Sequence, residues 1–350
     1  MKIKITNNLT FDTKKKPLLI AEISGNHSQN KKKFLNLILK SHQNGADLVK
    51  IQTYEPKDLT IKSFTDGFKI KKGTWKNKYL WNLYKKAHTP FSWHKEAFDL
   101  AKKKKINLFS TPFSERGVDL LESFKVPLYK VSSFEIIDHK LIDLIAKTKK
   151  PIIISTGLSN IREIKGAIKI INKYHNKIII MHCISEYPTK LENINFQRIN
   201  KLKKIFKNKL IGLSDHTNNI YSSQMSLNFE VVAIEKHVKI NEKSVSTDST
   251  FSITLKQLNE LKQTINSLYK GIKSKGNFFV NKNNSSSLIF RKSIFSITDI
   301  KKGEKISKKN IDTFRANIGL KANNYFKIID KKVNKNIKKY SPISKVDIFF

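Results

Sequence analysis

The sequence predicts an α/β fold, a (β/α)8 TIM barrel followed by a small carboxyl-terminal domain. Three observations support this: eight short apolar runs, helix-length spacing between them, and polar or ionisable side chains at the end of each run. Ile, Val and Leu dominate the runs without alternation, as in parallel strands buried on both faces. The runs are Leu18–Ile23, Asp47–Gln52, Asn107–Pro112, Leu128–Ser133, Pro151–Gly157, Lys177–Cys183, Leu210–Asp215 and Val231–His237. Chemistry in such barrels occurs at the carboxyl ends of the strands, so we expect an enzyme.

Length and composition fit one barrel with a small addition. The chain has 350 residues, and its 39% hydrophobic content is enough for a packed core. We see no apolar stretch of the ~20 residues that a membrane span requires. Met1–Thr10 has no apolar signal-peptide region. The single cysteine, Cys183, cannot form an internal disulfide, so we expect a cytoplasmic protein.

The segment after the second run is unusually long. It extends from Glu55 to about Pro90, and a helix is predicted at Phe91–Lys104. A long loop at the catalytic end of a barrel is commonly a lid or binding loop. The alternative is a helical hairpin that packs its aromatic residues on the outside of the barrel. These aromatic residues are Trp75, Tyr79, Trp81, Tyr84 and His88.

The formal charge of +40 raises the possibility of nucleic-acid binding. Only five of the 68 basic residues are arginine, the residue favoured for two-pronged contacts to phosphates and bases. The lysines are spread over all predicted helix faces, so we expect no nucleic-acid partner. A basic nucleic-acid-binding protein on a non-catalytic barrel remains the alternative from another class. The charge can also concentrate anionic substrates.

A polar, low-complexity stretch separates two predicted domains. We assign 1–273 to the barrel, 274–289 to a linker and 290–350 to a compact module. Short strands are predicted at Ser293–Ile297 and Val333–Ile337, with a turn at Lys301-Lys-Gly-Glu. A module of this size is marginally stable alone, so we expect it to dock on something.

Two histidines follow neighbouring strands of the predicted barrel. His216 comes after the seventh run and His237 ends the eighth, so both imidazoles can converge. Two histidines with room for water and substrate oxygens predict an open divalent site. Water and carboxylate ligands favour Mn²⁺ or Mg²⁺ over structural zinc. Alternatively, each histidine is a hydrogen-bonded core residue.

Two lysines lie inside apolar runs, where a charged side chain needs a partner. For Lys50 and Lys130 this partner is either a bound phosphate or carboxylate, or a glutamate of the barrel such as Glu22 or Glu235. Hydroxyl groups at strand ends favour the bound anion, and Gly157 lets the backbone approach a phosphate. The hydroxyl residues are Thr111, Ser133, Ser155 and Ser214.

Four carboxylates could act as acid, base or hydroxyl anchor: Glu22, Glu135, Asp215 and Asp248. Any one could instead be a solvated loop charge. Glu135 lies between the predicted anion and metal sites, which makes it the favoured proton-transfer group.

Eight motifs, in chain order, resemble the sialic-acid synthase family, enzymes that condense phosphoenolpyruvate with an amino sugar. Residues 290–350 resemble that family's antifreeze-like (SAF) domain through Arg291-Lys-Ser-Ile and Asp299-Ile-Lys-Lys-Gly-Glu. The barrel motifs are Ala21-Glu-Ile-Ser-Gly-Asn-His-Ser, Val49-Lys-Ile-Gln-Thr-Tyr, Phe109-Ser-Thr-Pro-Phe, Tyr129-Lys-Val-Ser-Ser-Phe-Glu, Ile154-Ser-Thr-Gly, Met181-His-Cys-Ile-Ser-Glu-Tyr-Pro, Gly212-Leu-Ser-Asp-His-Thr and Glu235-Lys-His.

The resemblance implies a role for each candidate residue. His216 and His237 would hold the metal, Glu22, Tyr187 and Asp248 would contact the sugar, and Asp215 would position a histidine or water. Gln52, at the end of the second run, joins the substrate-binding candidates. Two lysine ammonium groups and four hydroxyls would hold phosphoenolpyruvate and stabilise the charge that develops on it during the reaction. These residues are Lys50, Thr111, Lys130, Ser133, Ser155 and Ser214.

Within the family, the long segment resembles the branch that makes pseudaminic acid, through Gly73-Thr-Trp-Lys, Leu80-Trp-Asn-Leu-Tyr and Thr89-Pro-Phe-Ser-Trp-His. The implied sugar is 2,4-diacetamido-2,4,6-trideoxy-altrose. Neuraminate and legionaminate synthases share the barrel motifs and remain alternatives.

The resemblance also implies a domain-swapped homodimer. An arginine of the antifreeze-like domain, in a sequence like Arg-Pro-Gly-x-Gly, would enter the partner subunit's active site. Here the match is Arg315-Ala-Asn-Ile-Gly, which keeps the arginine but lacks the proline and the first glycine. The resemblance therefore leaves the backbone geometry of this loop open.

Overall fold

The computed structural model describes residues 1–274 and 282–349, the side chains of 282–285 excepted. The chain divides into two compact units, Met1–Lys273 and Ser274–Phe350. Of the linker predicted at 274–289, residues 275–281 lie outside the described residues, and Lys282–Phe290 is a 3₁₀ helix.

The first unit is built on a closed parallel barrel. In chain order its strands are β1 (Lys2–Lys4), β2 (Thr10–Asp12), β3 (Leu18–Glu22), β4 (Leu48–Thr53), β5 (Leu108–Pro112), β6 (Tyr129–Val131), β7 (Ile152–Ser155), β8 (Ile178–His182), β9 (Leu210–Asp215), β10 (Ala233–Lys239) and β11 (Ile253–Thr254). Strands β3 to β10 pair in sequence, and β10 pairs with both β9 and β3, which closes the barrel. Each barrel strand overlaps one predicted run, so the predicted (β/α)8 barrel is confirmed.

Helices separate the barrel strands, and several begin at side chains suited to capping. The side chains of Asn30, Ser114, Asp138, Asn160 and Thr254 each accept a hydrogen bond from a backbone N–H in the first turn. The predicted helix at Phe91–Lys104 is confirmed. The helices are α1 (Lys31–Gln43), α2 (Pro56–Leu59), α3 (Leu80–Ala87), α4 (Phe91–Lys104), α5 (Glu115–Ser123), α6 (His139–Lys147), α7 (Ile161–Ile171), α8 (Gln197–Ile205), α9 (Tyr221–Met225) and α10 (Leu255–Ile272).

Short 3₁₀ helices occur mainly in the loops. In the first unit they span Ser24–His27, Asp66–Phe68, Glu135–Ile137, Leu191–Asn193, Ser226–Phe229 and Ser249–Phe251.

The lower part of the barrel interior is apolar and is covered by an amino-terminal hairpin. Strands β1 and β2 pair antiparallel, and the side chain of Phe11 is fully buried. It packs with inward-facing residues such as Ile20, Leu48 and Phe109. The hairpin therefore closes the amino-terminal end of the barrel, so the polar groups lie at the opposite end.

Residues 55–90, which we call the lid segment, connect β4 to α4. They contain α2, the 3₁₀ turn Asp66–Phe68 and α3. Arg116 on α5 anchors the start of this segment, because its guanidinium donates hydrogen bonds to Asp58 at 2.9 Å and to Glu55 at 2.8 Å. The lid segment is therefore tied to the barrel frame at its amino-terminal end.

The second unit contains an antiparallel pair of strands, β12 (Lys292–Ser296) and β13 (Ile311–Arg315). The predicted strand at Ser293–Ile297 overlaps β12 and is confirmed. The predicted strand at Val333–Ile337 is wrong, because these two residues only form isolated bridges to Ile348 and Ile300. A core made mostly of isoleucines holds the unit together. Besides the 3₁₀ helix Lys282–Phe290, its described residues form α11 (Tyr325–Ile328) and the 3₁₀ turns Ala322–Asn324 and Lys345–Asp347.

Across residues 1–274 and 282–349, no helix combines the length and the apolar character needed to cross a bilayer.

Candidate active site

A cavity of about 440 Å³ opens at the carboxyl ends of the barrel strands. Most residues that the sequence analysis selected line it. These are Glu22, Lys50, Gln52, Lys130, Ser133, Glu135, Ser155, Tyr187, Ser214, His216, His237 and Asp248. They come from loops and strands distributed around the barrel, so the fold brings together groups that are far apart in sequence.

The floor of the cavity is a cluster of two lysines and two glutamates. The ammonium group of Lys130 donates to both carboxylate oxygens of Glu235, at 3.0 and 3.1 Å. The ammonium group of Lys50 lies 3.0 Å from Glu22 Oε2 and 3.4 Å from Glu235 Oε1. The glutamate partners considered as an alternative are therefore present, and an anion is not needed to satisfy the lysines in this structure.

Glu235 is a cavity residue that the site prediction did not include. Side chains alternate along a strand, so Glu235 shares the inward face of β10 with His237, two residues later. That spacing was the signal in the sequence that could have identified it. The hydroxyl of Ser214 also donates to Glu235, at 3.1 Å.

Burial and mutual charge set the ionisation of this cluster. Burial acts to raise the pKa of Glu235, but Lys130 and Lys50 outweigh it and hold the pKa below its ordinary value. Burial raises the pKa of Glu22, although Lys50 opposes the change. Burial acts to lower the pKa of Lys50, but Glu22 and Glu235 outweigh it and raise that pKa. Burial lowers the pKa of Lys130 despite its contact with Glu235. Glu22 is thus the carboxyl group of the floor that most readily takes up a proton.

Hydroxyl groups complete the floor. Ser133 and Ser185 share a hydrogen bond of 2.7 Å, and Ser155 also lines the cavity. Thr111 is buried at the end of β5 and accepts a hydrogen bond from Lys50 at 3.3 Å. It is not among the lining residues, so it contributes through the orientation of Lys50.

The two predicted metal ligands are adjacent at one side of the cavity. The ring centroids of His216 and His237 are 5.5 Å apart. The backbone carbonyl of Ile184 accepts from Nδ1 of His216 at 2.7 Å, which leaves Nε2 with its lone pair. Nδ1 of His237 is buried with no hydrogen-bond partner among the described residues. Burial lowers the pKa of His216 to about 4 and that of His237 well below its ordinary value, so both rings are neutral.

This donor set is compatible with a divalent ion that keeps open positions. Neutral imidazoles are the form that binds metals. In the described part of the chain, no group of three or more His, Cys, Asp or Glu side chains is arranged around a common point. Any remaining ligands would therefore be water or substrate oxygens.

An aromatic cluster connects the histidines to the lid segment. The ring of Tyr187 lies 4.4 Å from that of His216, and Phe251 lies 4.9 Å from His237. Trp75 packs against both, at 5.5 Å from Tyr187 and 5.9 Å from Phe251. Trp75 and Tyr84 of the lid segment thus line the cavity, which favours the lid prediction over an external hairpin.

Glu135 lies at the cavity mouth, on the 3₁₀ turn after β6. Burial raises its pKa to about 7, while its backbone hydrogen bond opposes the change. The hydroxyl of Ser132 donates to Oε2 of Glu135. A carboxyl group with a pKa near neutrality can either give or accept a proton at physiological pH.

Asp248 and Gln52 are both oriented by hydrogen bonds to the end of β3 and the turn that follows it. The backbone N–H of Gly25 donates to Oδ2 of Asp248 at 2.8 Å, and the hydroxyl of Ser24 donates to the same oxygen. Burial raises the pKa of Asp248. The amide of Gln52 donates to Glu22 at 2.9 Å.

Asp215 is not in the cavity, which corrects its place among the catalytic candidates. Its side chain points away from the barrel interior because it follows the inward-facing Ser214 in β9. There it is 3.0 Å from the buried ammonium group of Lys236 and accepts a hydrogen bond from Ser223 at 2.6 Å. Burial acts to raise its pKa, but Lys236 and the serine hydroxyls outweigh this and lower it. Asp215 can therefore act on the site only through the strands that carry the histidines.

Arg315 is an exposed residue at the end of β13, in the second unit. Its guanidinium lies 5.8 Å from the ring centroid of Phe290. In the loop after it, Asn317 has φ 52° and Gly319 has φ 68°. Asparagine tolerates this left-handed conformation better than most residues. Asn317 thus has a left-handed backbone conformation at the position where the family pattern has its first glycine.

The NeuB family model matches residues 37–277 of this chain, most of the barrel and its connecting loops. The chain belongs to the NeuB family. Among curated relatives, this NeuB family member is 37% identical to the pseudaminic acid synthase of Helicobacter pylori, over 95% of this chain and 98% of the relative. It is 32% identical to the N,N'-diacetyllegionaminic acid synthase of Campylobacter jejuni, over 93% of this chain and 98% of that protein.

Solved structures agree on the fold of this NeuB family member. The N-acetylneuraminic acid synthetase of Leptospira borgpetersenii superposes with a TM-score of 0.72 at 24% identity, covering 82% of this chain and 95% of that one. The spore coat polysaccharide biosynthesis protein SpsE of Bacillus subtilis superposes with a TM-score of 0.67 at 24% identity, covering 100% of this chain and 99% of that one.

Proposed function

We propose that this chain condenses phosphoenolpyruvate with 2,4-diacetamido-2,4,6-trideoxy-altrose to give pseudaminic acid and phosphate. The main support is a single cavity that joins paired lysines, neutral paired histidines and a carboxyl group with a pKa of about 7. The sequence identity to the Helicobacter pylori pseudaminic acid synthase supports the choice of sugar. The relationship to legionaminic acid synthases makes the corresponding legionaminate precursor the second candidate.

The lysine–glutamate floor is the proposed site for phosphoenolpyruvate. Its carboxylate and phosphate would pair with Lys50 and Lys130, and the hydroxyls of Ser133, Ser155 and Ser214 would donate to them. In this structure, Glu22 and Glu235 neutralise the lysines. Because burial raises the pKa of Glu22, proton uptake by this residue would release Lys50 to the incoming anion.

We propose that His216 and His237 hold Mn²⁺ or Mg²⁺, which polarises the aldehyde of the open-chain sugar when bound. Tyr187, Asp248 and Glu22 would hold the sugar hydroxyl and amide groups next to it.

The proposed reaction balances with water as the third reactant. Carbon three of phosphoenolpyruvate forms a bond to the aldehyde carbon, and the aldehyde oxygen takes up one proton. Water adds at carbon two and loses one proton. The bond between carbon two and the phosphate oxygen then breaks, and the hydroxyl that came from water gives its remaining proton to the departing phosphate, leaving a keto group and inorganic phosphate. Glu135 would carry the proton between water and the sugar oxygen.

We further propose that the second unit is an antiparallel-paired, antifreeze-like domain that completes the active site of a partner subunit in a homodimer. The conformation of Asn317 supports this, because it is one that glycine, the residue of the family pattern at this position, adopts readily. We place the reaction in the cytoplasm, in keeping with a single, buried and unpaired cysteine.

The test is to mix the purified protein with phosphoenolpyruvate, Mn²⁺ and a panel of N-acetylated sugars, then measure phosphate release and product mass. We expect turnover with the trideoxy-altrose substrate and its loss after chelation, with recovery when Mn²⁺ is restored. Phosphate release from none of the sugars would contradict the proposed function. Full activity in the presence of a strong chelator would contradict the metal proposal alone.

A further inference from the structure

The lid segment contributes an apolar half to a cavity whose floor is polar. Its side chains that line the cavity are Leu59, Ile70, Trp75, Leu80, Leu83, Tyr84 and Ala87. Five of these seven have no polar side-chain atom. A molecule bound in this cavity would therefore contact hydrogen-bonding groups on the floor and mainly hydrocarbon along the lid segment.

Two hydrogen bonds tie Thr74 and Trp75 of the lid segment to neighbouring loops of the barrel. The indole N–H of Trp75 donates to the backbone carbonyl of Thr247 at 3.0 Å, so its one polar atom is already used. The hydroxyl of Thr74 donates to the backbone carbonyl of Tyr187. These two hydrogen bonds attach the lid segment to the loops that carry Tyr187 and Thr247.

An apolar wall of this kind distinguishes sugars by their substituents far from the aldehyde. A methyl group at carbon six and the methyl groups of acetamido substituents can pack against leucine and isoleucine. A hydroxyl at carbon six would lose its bound water there, and the five apolar side chains offer it no hydrogen bond. Apolar pockets discriminate against an added hydroxyl by at most about 100-fold.

We propose that the lid segment selects 6-deoxy sugars, with Leu80 and Leu83 of α3 forming the surface that receives the apolar end of the substrate. Leu83 is only 7% exposed although it lines the cavity, so its side chain is already packed in place. This inference rests on the proposed function, because it concerns the sugar end of the same site.

The first experiment compares two sugars with the unmodified protein. One is 2,4-diacetamido-2,4,6-trideoxy-altrose, and the other differs only by a hydroxyl at carbon six. We expect kcat/KM to be about 10- to 100-fold higher for the 6-deoxy sugar. Equal kcat/KM values would overturn the lid inference and leave the proposed function intact. Phosphate release from neither sugar would count against the proposed function instead.

The second experiment assigns the discrimination to the lid segment. Leu83→Asn keeps the number and branching of the side-chain heavy atoms but adds hydrogen-bonding groups, so the preference for the 6-deoxy sugar should fall by about tenfold or more. The KM for phosphoenolpyruvate should not change, because that substrate lies on the floor. Ile61→Asn is the matched control, since Ile61 belongs to the same segment but is 68% exposed and does not line the cavity.

Leu80→Asn provides an independent variant, because Leu80 is only partly buried and its substitution removes less packing. An unchanged sugar preference in a folded Leu80→Asn or Leu83→Asn protein would overturn the assignment to α3. An equal loss of preference in Ile61→Asn would do the same.

Discussion

At the scale of single residues, Glu135 links burial to both chemistry and stability. Its pKa rises from 4.5 to about 7 in the folded protein. Because the folded-state pKa is the higher one, the native state binds a proton that the unfolded chain has already lost at pH 6. This residue therefore favours folding below about pH 4.5, and the advantage is lost as pH rises through about 7.

We predict that Glu135→Gln lowers kcat by at least about 100-fold yet stabilises the protein above pH 7. The pKa difference corresponds to at most about 3 kcal/mol in the free energy of unfolding. Urea unfolding of both proteins at about pH 5 and pH 8 measures this, and the stability difference should grow toward the higher pH. A variant that keeps full activity, or a difference that shrinks with rising pH, would contradict the assignment.

Gly157 illustrates a position where the space around a backbone atom matters. A Cβ there would overlap the hydroxyl of Ser185 and lie 3.0 Å from the sulfur of Cys183. Ser185 shares a hydrogen bond with Ser133, so displacement of one affects the other. The glycine thus permits close packing of two loops at the proposed phosphoenolpyruvate site.

We predict that Gly157→Ala raises the KM for phosphoenolpyruvate by about tenfold, the equivalent of one lost hydrogen bond, while the KM for the sugar changes little. Initial-rate kinetics with each substrate varied in turn measure both constants. Gly166→Ala in α7 is the control, because its Cβ would come no closer than 3.4 Å to His139. A normal KM for phosphoenolpyruvate in Gly157→Ala would show that the loops can adjust.

At the residue scale, the sequence predicted which polar residues lie at the ends of the strands. It did not predict which face of the sheet each side chain takes. Asp215 sits next to Ser214 in β9, and a shift of one residue moves a side chain to the other face of the sheet. Glu235 was considered only as a lysine partner, although it shares a face with His237. The motif showed that these residues belong together but not which of them reach the cavity.

At the scale of secondary structure elements, a buried ion pair joins the two strands that carry the histidines. Asp215 on β9 and Lys236 on β10 are direct partners in the strand register, and Lys236 is completely buried. Lys236 also donates to the backbone carbonyl of Thr217 at 2.6 Å. Each charged residue immediately precedes a predicted metal ligand, so the pair fixes the relative position of His216 and His237.

We predict that Lys236→Met destabilises the protein by about 3–5 kcal/mol, because it leaves the Asp215 carboxylate buried without its cation. The free energy of unfolding measures the loss. The double variant Asp215→Asn with Lys236→Met removes both charges and should recover part of it. A single variant as stable as the parent would show that water or a rearranged side chain compensates the carboxylate.

The elements themselves were predictable to different degrees. All eight barrel strands could be located because parallel strands buried on both faces leave continuous apolar runs. The β1–β2 hairpin was missed, since strands of three residues are too short to show a period. Val333–Ile337 was assigned wrongly because its apolar residues bury individually against different neighbours.

At the scale of the whole molecule, a net charge of +40 attracts anions at long range. Phosphoenolpyruvate is an anion, whereas the proposed sugar is neutral. Salt at about 0.1 M screens exposed charges beyond about 10 Å, and screening tightens further at higher concentration. Long-range attraction should therefore affect the two substrates differently.

We predict that raising NaCl from about 0.05 to 0.5 M lowers kcat/KM for phosphoenolpyruvate several-fold and leaves that for the sugar nearly unchanged. Initial rates at each salt concentration provide the comparison. An equal decrease of kcat/KM for both substrates would indicate a general effect of salt on the protein. No decrease for phosphoenolpyruvate would mean that the lysines do not attract this substrate at long range.

The hairpin beneath the barrel has a consequence for kinetics. Phe11 fills the lower end of the barrel interior, so we expect both substrates to enter from the carboxyl ends of the strands. In the proposed reaction phosphoenolpyruvate lies on the floor of the cavity, so we expect it to bind before the sugar, and a sugar that binds first to obstruct it. We therefore expect steady-state kinetics with ordered binding of the two substrates and with inhibition by excess sugar.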